Sequence, residues 1–219
     1  MSEQLLSAMR QSIVDGDLDQ AEALARQALE QGIDPLVAIN QGFVPGINTV
    51  GDQFGAGEMY LPELMMAAEA MKKAMAVLQP EMARRGVQRQ YLGKVVLGTV
   101  KGDIHEIGKN LVATMLSASG FDVHDLGVDV PSARFAEMAR EVDADIVGVS
   151  ALLTTTMTGL KHVIDALDDM RLRPRVKVIV GGAPVTRDWA DEIGADGYSE
   201  DAMGAVAVAK KLVGVPSKE

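Results

Sequence analysis

Near residue 90 the hydrophobic period of this chain changes, and that change limits the fold more than any other feature. Up to about residue 84 the apolar residues recur at helical spacing. Leu5, Leu6, Met9 and Ile13 share one helix face. After Asp15-Gly16-Asp17, a second stripe runs through Leu18, Ala21, Leu24, Ala25, Ala28 and Leu29, with Asp17 placed as its N-cap. Gly32 ends that stretch, and Asp34-Pro35 restarts the helix in the order expected of an N-cap and a first helical residue. The third helix passes Leu36, Val37 and Ile39 and is expected to bend near Pro45-Gly46. Phe54-Gly55-Ala56-Gly57 breaks it, and Leu61-Pro62 opens a fourth through Leu64, Met65, Ala68, Met71, Met75 and Leu78. Met65, Met66, Met71 and Met75 read as packing of that bundle. Residues 1–84 therefore predict a four-helix bundle, and residues 85–92, which carry no period, a linker.

From residue 93 the pattern is strand, loop, helix, five times over. Short apolar runs at Val95-Val96-Leu97, Phe121-Asp122-Val123, Asp145 to Val149 and Val176 to Val180, and a weak one near Gly197-Tyr198, alternate with helical stretches. Those stretches start at about Ile107, follow Pro131, pass Met157, Leu160 and Val163, lie near Trp189, and run from Ala205 to Val213. This is the pattern of an α/β, Rossmann-like or flavodoxin-like domain over residues 93–219, with a doubly wound, five-stranded parallel sheet and right-handed crossovers. In such sheets the ligand sits beyond the carboxyl ends of the strands, where the strand order reverses.

The loops that leave those ends carry the chemistry. After the first strand comes Gly98-Thr99-Val100-Lys101-Gly102-Asp103-Ile104-His105-Glu106-Ile107-Gly108-Lys109-Asn110. Asp103 and His105 are two apart on a glycine-flanked loop, so both side chains are able to leave the same end of the sheet. A metal-ligating histidine needs a fixed tautomer, and a carboxylate on its far nitrogen fixes it. Gly102 and Gly108 permit a tight turn or close approach to a flat group. Lys101 and Lys109 suit phosphate or amide groups as well as water. The third strand ends in Ser150, followed by Leu152 and Thr154; the fourth ends in Gly181-Gly182, which is expected to leave a channel for an inserted group. Taken singly these are ordinary features: His105 with Asp103 a surface pair, Ser150 and Thr154 caps, Gly181-Gly182 a turn. His124 and His162 read as structural or solvent-facing.

Composition removes other classes. The net charge is −10 and aromatics make up 4%, which oppose a nucleic-acid surface; the one basic cluster, Arg84, Arg85 and Arg89, reads as solvated linker. The chain has no cysteine, so thiolate metal sites and disulfides are excluded. The N-terminus has no signal-peptide pattern and no run approaches a membrane span of roughly 20 apolar residues. A cytoplasmic protein with no membrane partner is the expectation.

The run GTVKGDIHEIGKN resembles the DxHxxG motif of cobalamin-binding domains, in the extended form found in methionine synthase and in the corrinoid proteins of methylamine and methanol metabolism. Ser150, Leu152 and Thr154 match the family's SxLxT pattern, and Gly181-Gly182 its GG. Gly51-Asp52-Gln53-Phe54 and Tyr60-Leu61-Pro62-Glu63-Leu64 are similar to the helical cap of the same proteins, so the resemblance covers nearly the whole chain. It implies a cobalamin or related corrinoid in its methylcobalamin form, bound base-off, with His105 as lower axial ligand of cobalt. Gly102, Asp103, Ile104 and Gly108 would surround that ligand. Asp103 would hydrogen-bond His105, and Thr156 would stand where methionine synthase has the serine that completes the relay. Ser150, Leu152, Thr154, Gly181 and Gly182 would surround the displaced nucleotide tail. Tyr60 and Leu64 would cover the upper, methyl-bearing face.

The function so implied is a methyl-carrying subunit with no complete active site alone. It would serve a substrate-specific methyltransferase and a second methyltransferase with a folate or thiol acceptor, and would need a reductive activator. At 219 residues the chain is too short to hold, beside its two halves, the roughly 250 residues of a (β/α)8 barrel for the methyl donor. A cobalamin-dependent sensor is the alternative, but its usual basic DNA-binding module is not matched by the first helices. The small subunit of an adenosylcobalamin mutase shares the α/β half but needs no cap.

Overall fold

The computed structural model describes residues 2–86 and 91–215 and divides the chain into two units, residues 1–90 and 91–219.

The first unit is helical. Helix α1 is Ser2–Val14 and α2 is Leu18–Glu30. The Asp17 carboxylate accepts from the Gln20 amide at 2.9 Å, the expected N-cap of α2. Asp34 does the same for α3 (Pro35–Val37), accepting from the Leu36 amide at 2.8 Å. The helix then widens into a π-helical segment, Ala38–Phe43, before α4 (Val44–Gly55). The bend expected at Pro45-Gly46 thus takes the form of a wide turn just ahead of it. A proline has no N–H to give to an α-helical ladder, and widening the preceding turn is one way to accommodate that. Helix α5, Leu61–Arg84, closes the unit, with the Glu63 carboxylate accepting from the Tyr60 amide at 2.7 Å.

Met9, Ile13, Ile39, Phe43, Ile47, Leu64 and Leu78 form the bundle core and are essentially inaccessible to water. Each such side chain contributes about 1.5–3 kcal/mol by leaving water. The methionines of α5 divide: Met71 and Met75 are buried as expected, but Met65 and Met66 are about half exposed, beside exposed Tyr60 and Leu61. Helical period fixes the direction of an apolar stripe but not its width. The basic cluster also differs from expectation. Arg84 ends α5, and both Arg84 and Arg85 pair with Glu81, while Arg89 lies outside the described residues. Those guanidiniums pull the Glu81 carboxyl down to about 2.

The second unit is the parallel sheet. Its strands are β1 (Lys94–Thr99), β2 (Asp122–Asp125), β3 (Ile146–Ser150), β4 (Lys177–Gly181) and β5 (Gly197–Ser199), all parallel, in the order β2-β1-β3-β4-β5. Helices α6 (Ile107–Ala118), α7 (Ser132–Glu141), α8 (Thr158–Asp169), α9 (Arg187–Glu192) and α10 (Ala202–Leu212) connect or follow them. Helices α6 and α10 pack on each other and against the sheet, as do α7 and α8. The central strands β1 and β3 are consequently buried along their length, which is why they read as continuous apolar runs without alternation. Phe135 on α7, Leu160 on α8 and Val147 and Val178 of the sheet share one core. The register aligns Thr99, Ser150, Gly181 and Ser199 in one row at the carboxyl edge. Strand order reverses between β1 and β3, so the loops after these two strands open side by side.

Among the described residues no helix is long and apolar enough to cross a membrane.

Candidate functional site

The β1 loop turns at Gly102, whose φ of 85° lies in the left-handed region that favours glycine. The turn drops Asp103 into the protein, fully buried, and returns His105 to the surface with its side chain 46% exposed. Asp103 is an acceptor for groups on both sides of the switch point. Its Oδ1 takes the His105 amide at 3.1 Å and lies 2.7 Å from His105 Nδ1. Its Oδ2 takes the Leu152 amide at 2.7 Å, the Leu153 amide at 3.3 Å and the Thr156 hydroxyl at 2.8 Å. Burial alone would raise the carboxyl's pKa. The Leu152 amide, the His105 ring, the Thr156 hydroxyl and the His105 amide outweigh burial and hold it well below the usual carboxylate range.

An ionised Asp103 accepts only, so the contact calls for a proton on His105 Nδ1, and in the neutral imidazole that leaves the lone pair on Nε2. Nε2 has no protein partner among the described residues, whereas Nδ1 is engaged. Thr156 Oγ1 also lies 2.9 Å from the Leu153 carbonyl oxygen. Its single proton has two acceptors, so the hydroxyl is able to turn from one to the other as the charge on Asp103 and His105 changes.

Around the histidine the surface is apolar and open. Ile104 is 74% exposed, and Ile107, Leu152 and Leu153 are also exposed large hydrophobic side chains. Exposed apolar side chains gathered on the two loops that carry Asp103, His105 and their partners are of the kind that marks an interaction surface. Gly108 has nothing in the space where a Cβ would stand. Ser150 is half-buried and Thr154 exposed, both on the β3 side.

At Gly181 and Gly182 the space that a side chain would enter is already taken. A Cβ on Gly182 would lie 1.9 Å from the Ala151 carbonyl oxygen, and one on Gly181 would lie 3.0 Å from that of Ser199. The missing side chains admit the neighbouring backbone rather than leave a gap. Lys109 departs from both readings offered by its sequence position. It is buried, and its ammonium pairs with Asp125 at the end of β2 and donates to Asn110. His124 stands 3.3 Å from Asp122, apart from the site. Tyr60 is 73% exposed and Leu64 fully buried in the helical unit.

Sequence reasoning named Asp103, His105 and Thr156 but missed the Leu152 backbone amide as a partner of Asp103, and it missed Thr99 and Asp129, which hold the loop. No local pattern announces any of these, since each depends on which strand lies beside β1.

Comparison with known proteins places the chain among relatives along its full length. A B12-binding domain model matches residues 93–207, and a second B12-binding domain model matches residues 5–79. A corrinoid protein of Desulfitobacterium hafniense (strain Y51) is 48% identical over 211 residues, 96% of this chain and 98% of the relative. The trimethylamine corrinoid protein of Methanosarcina barkeri is 46% identical over 213 residues, 97% of this chain and 98% of the relative. Among solved structures, the methanol:cobalamin methyltransferase complex of Methanosarcina barkeri matches with a TM-score of 0.87 and 29% identity, over 97% of this chain and 81% of that one.

Proposed function

The chain belongs to the corrinoid proteins built on B12-binding domains, and from that premise we propose that it carries a methyl group between two methyltransferases, with His105 as the lower axial ligand of the corrinoid's cobalt. When bound, the corrinoid supplies a cobalt that accepts a methyl group from one partner and yields it to the other. The observation that carries the ligand assignment is the Asp103 carboxylate at 2.7 Å from Nδ1, which leaves Nε2 as a lone-pair donor at an apolar surface.

The donor set fits this group. Among the described residues no three His, Cys, Asp or Glu side chains gather to hold a metal ion. A lone imidazole is a poor site for a free ion but sufficient for a metal whose in-plane positions a macrocycle already fills. Ile104, Ile107, Leu152 and Leu153 supply apolar contact beside the imidazole, and Gly102 and Gly108 offer a surface without side chains.

His105 would hold the cobalt through Nε2 in place of the cofactor's own base. Asp103 keeps the ring in the Nδ1–H tautomer and stabilises positive charge on it when Nε2 is released and takes a proton. Thr156 shares its proton with Asp103 or with the Leu153 carbonyl according to that charge. Ser150 and Thr154 offer hydroxyls for the displaced tail, alongside Gly181 and Gly182. Tyr60 and Leu64 are the residues proposed to shield the methyl-bearing face; within the helical unit Tyr60 is exposed and Leu64 fully buried. The partners are a substrate-specific methyltransferase and a second one with a folate or thiol acceptor, and a reductive activator restores the carrier after oxidation. We place this chemistry in the cytoplasm.

The test is reconstitution with cob(II)alamin and electron paramagnetic resonance of protein labelled with 15N-histidine. Stoichiometric binding with superhyperfine coupling from a labelled imidazole, lost in His105→Ala, is expected. Coupling that survives His105→Ala would remove the ligand assignment. Absence of binding would remove the function with it.

A further inference from the structure

The relay explains how the imidazole is oriented but not how the backbone that bears it is held. Thr99 ends β1, six residues before His105, and is fully buried. Its hydroxyl donates to the His105 carbonyl oxygen at 2.9 Å. Its own backbone is fixed from the other side: the Thr99 amide donates to the Gly127 carbonyl and its carbonyl accepts from the Val130 amide, each at 3.0 Å.

The same β2–α7 connection supplies a second hold. Asp129 adopts φ 54°, a left-handed conformation that is unfavourable for a residue with a side chain, and kept where the surroundings over-determine it. In that conformation its amide donates to the Asp103 carbonyl at 2.9 Å, and its carboxylate accepts from the Gly102 amide at 2.7 Å. Both ends of the segment 102–105 are thus tied to the scaffold by bonds that involve neither the Asp103 carboxylate nor the imidazole.

We propose that Thr99 and Asp129 are positioning residues that hold the 102–105 loop in its ligand-presenting shape before any corrinoid binds. This rests on the reading of His105 as the cobalt ligand. A ligand on a loop that must order itself on binding loses affinity to that ordering, so a preformed loop binds the cofactor more tightly. Without the Thr99 hydroxyl the His105 carbonyl loses its donor. Without the Asp129 carboxylate the left-handed turn at Gly102 loses its acceptor.

The variants are Thr99→Val, which keeps size and branching but removes the hydroxyl, Thr99→Ser, which keeps the hydroxyl, and Asp129→Gly, which keeps the left-handed backbone but removes the carboxylate. Hydrogen exchange of backbone amides is followed by NMR on the full chain without corrinoid. Exchange of the Gly102 and His105 amides is expected to speed up about fivefold in Thr99→Val and Asp129→Gly, the factor given by one lost hydrogen bond. Thr99→Ser should stay near wild type, and the Val147 and Val178 amides of the central strands should be unchanged in all three. After loading with cob(II)alamin, the fraction of cobalt with labelled-imidazole coupling should fall in the same two variants and recover in Thr99→Ser.

Unchanged Gly102 and His105 exchange in Asp129→Gly and Thr99→Val overturns the proposal. If Thr99→Val does not fold, Asp129→Gly, altered only in an exposed loop, decides it alone. A wild-type protein without imidazole coupling would remove the ligand reading instead, and the exchange rates would still report whether these residues hold the loop.

Discussion

Replacing Asp103 by asparagine changes one atom and should move the proton that matters. The carboxylate accepts on both oxygens, with Leu152, Leu153 and Thr156 on Oδ2 and the His105 amide and Nδ1 on Oδ1. An amide side chain accepts on one side only. If its NH2 takes the Oδ2 place it meets the Leu152 and Leu153 amides at 2.7 and 3.3 Å, two donors that cannot turn away. If it takes the Oδ1 place it meets one fixed donor, the His105 amide at 3.1 Å, and a ring nitrogen able to become an acceptor. The second arrangement wins. It forces the ring proton from Nδ1 to Nε2, the atom assigned to cobalt. One backbone donor left unmet costs about 1–3 kcal/mol, and charged bonds reduced to neutral ones about 1 kcal/mol more. We therefore expect a loss of about 2–4 kcal/mol in urea unfolding of the chain without corrinoid. Long-range 1H–15N correlation spectra should show His105 protonated on Nε2, and corrinoid loading should give less histidine-ligated cobalt. An Asp103→Asn protein that keeps its proton on Nδ1, or that unfolds within about 0.5 kcal/mol of wild type, would refute this reasoning.

Three other outcomes follow from the same geometry. Gly182→Ala places a methyl 1.9 Å from the Ala151 carbonyl at φ 122°, and should destabilise the chain on the order of 3–5 kcal/mol in urea titrations; a loss under about 1 kcal/mol would show that the β3 and β4 loops separate freely. Asp125→Ala leaves the buried Lys109 ammonium with Asn110 alone, and should cost about 3 kcal/mol, the lower end for a broken buried pair because Asp125 is itself 35% exposed; circular dichroism melts that match wild type would refute it. Asp103 has a folded pKa depressed below its unfolded value near 4, so its stabilising contribution is fully present above about pH 5 and fades as pH falls toward the folded pKa. The stability gap between wild type and Asp103→Asn should therefore narrow from pH 5 to pH 3, and a gap that widens would contradict the depressed carboxyl.

The helical unit, the five parallel strands and the histidine loop were legible in the sequence because each is local. Asp17 and Asp34 cap the helices that follow them within three residues, and the period change separates bundle from sheet. Asp103 and His105 announce themselves by a spacing of two on a loop between strand and helix. What was not legible needed distance. Met65 and Met66 have the helical spacing of core residues, yet they lie on the open side of α5, because only the packing of α5 on its neighbours sets the width of its buried face. Gly181 and Gly182 read in the sequence as space, yet where their side chains would stand lie the carbonyls of Ala151, just after β3, and Ser199, at the end of β5.

The sequence by itself determined that Asp103 and His105 lie on the loop that leaves the carboxyl end of a parallel strand. The tertiary structure alone decided what holds them. Strand order β2-β1-β3 sets β1 between two strands that follow it in the chain, and so brings the Leu152 amide to Asp103 from 49 residues away and the Asp129 carboxylate to Gly102 from 27. Those partners are backbone groups and a loop aspartate with no pattern of their own. Hydrogen bonds select them by position in space, and position is what strand order supplies.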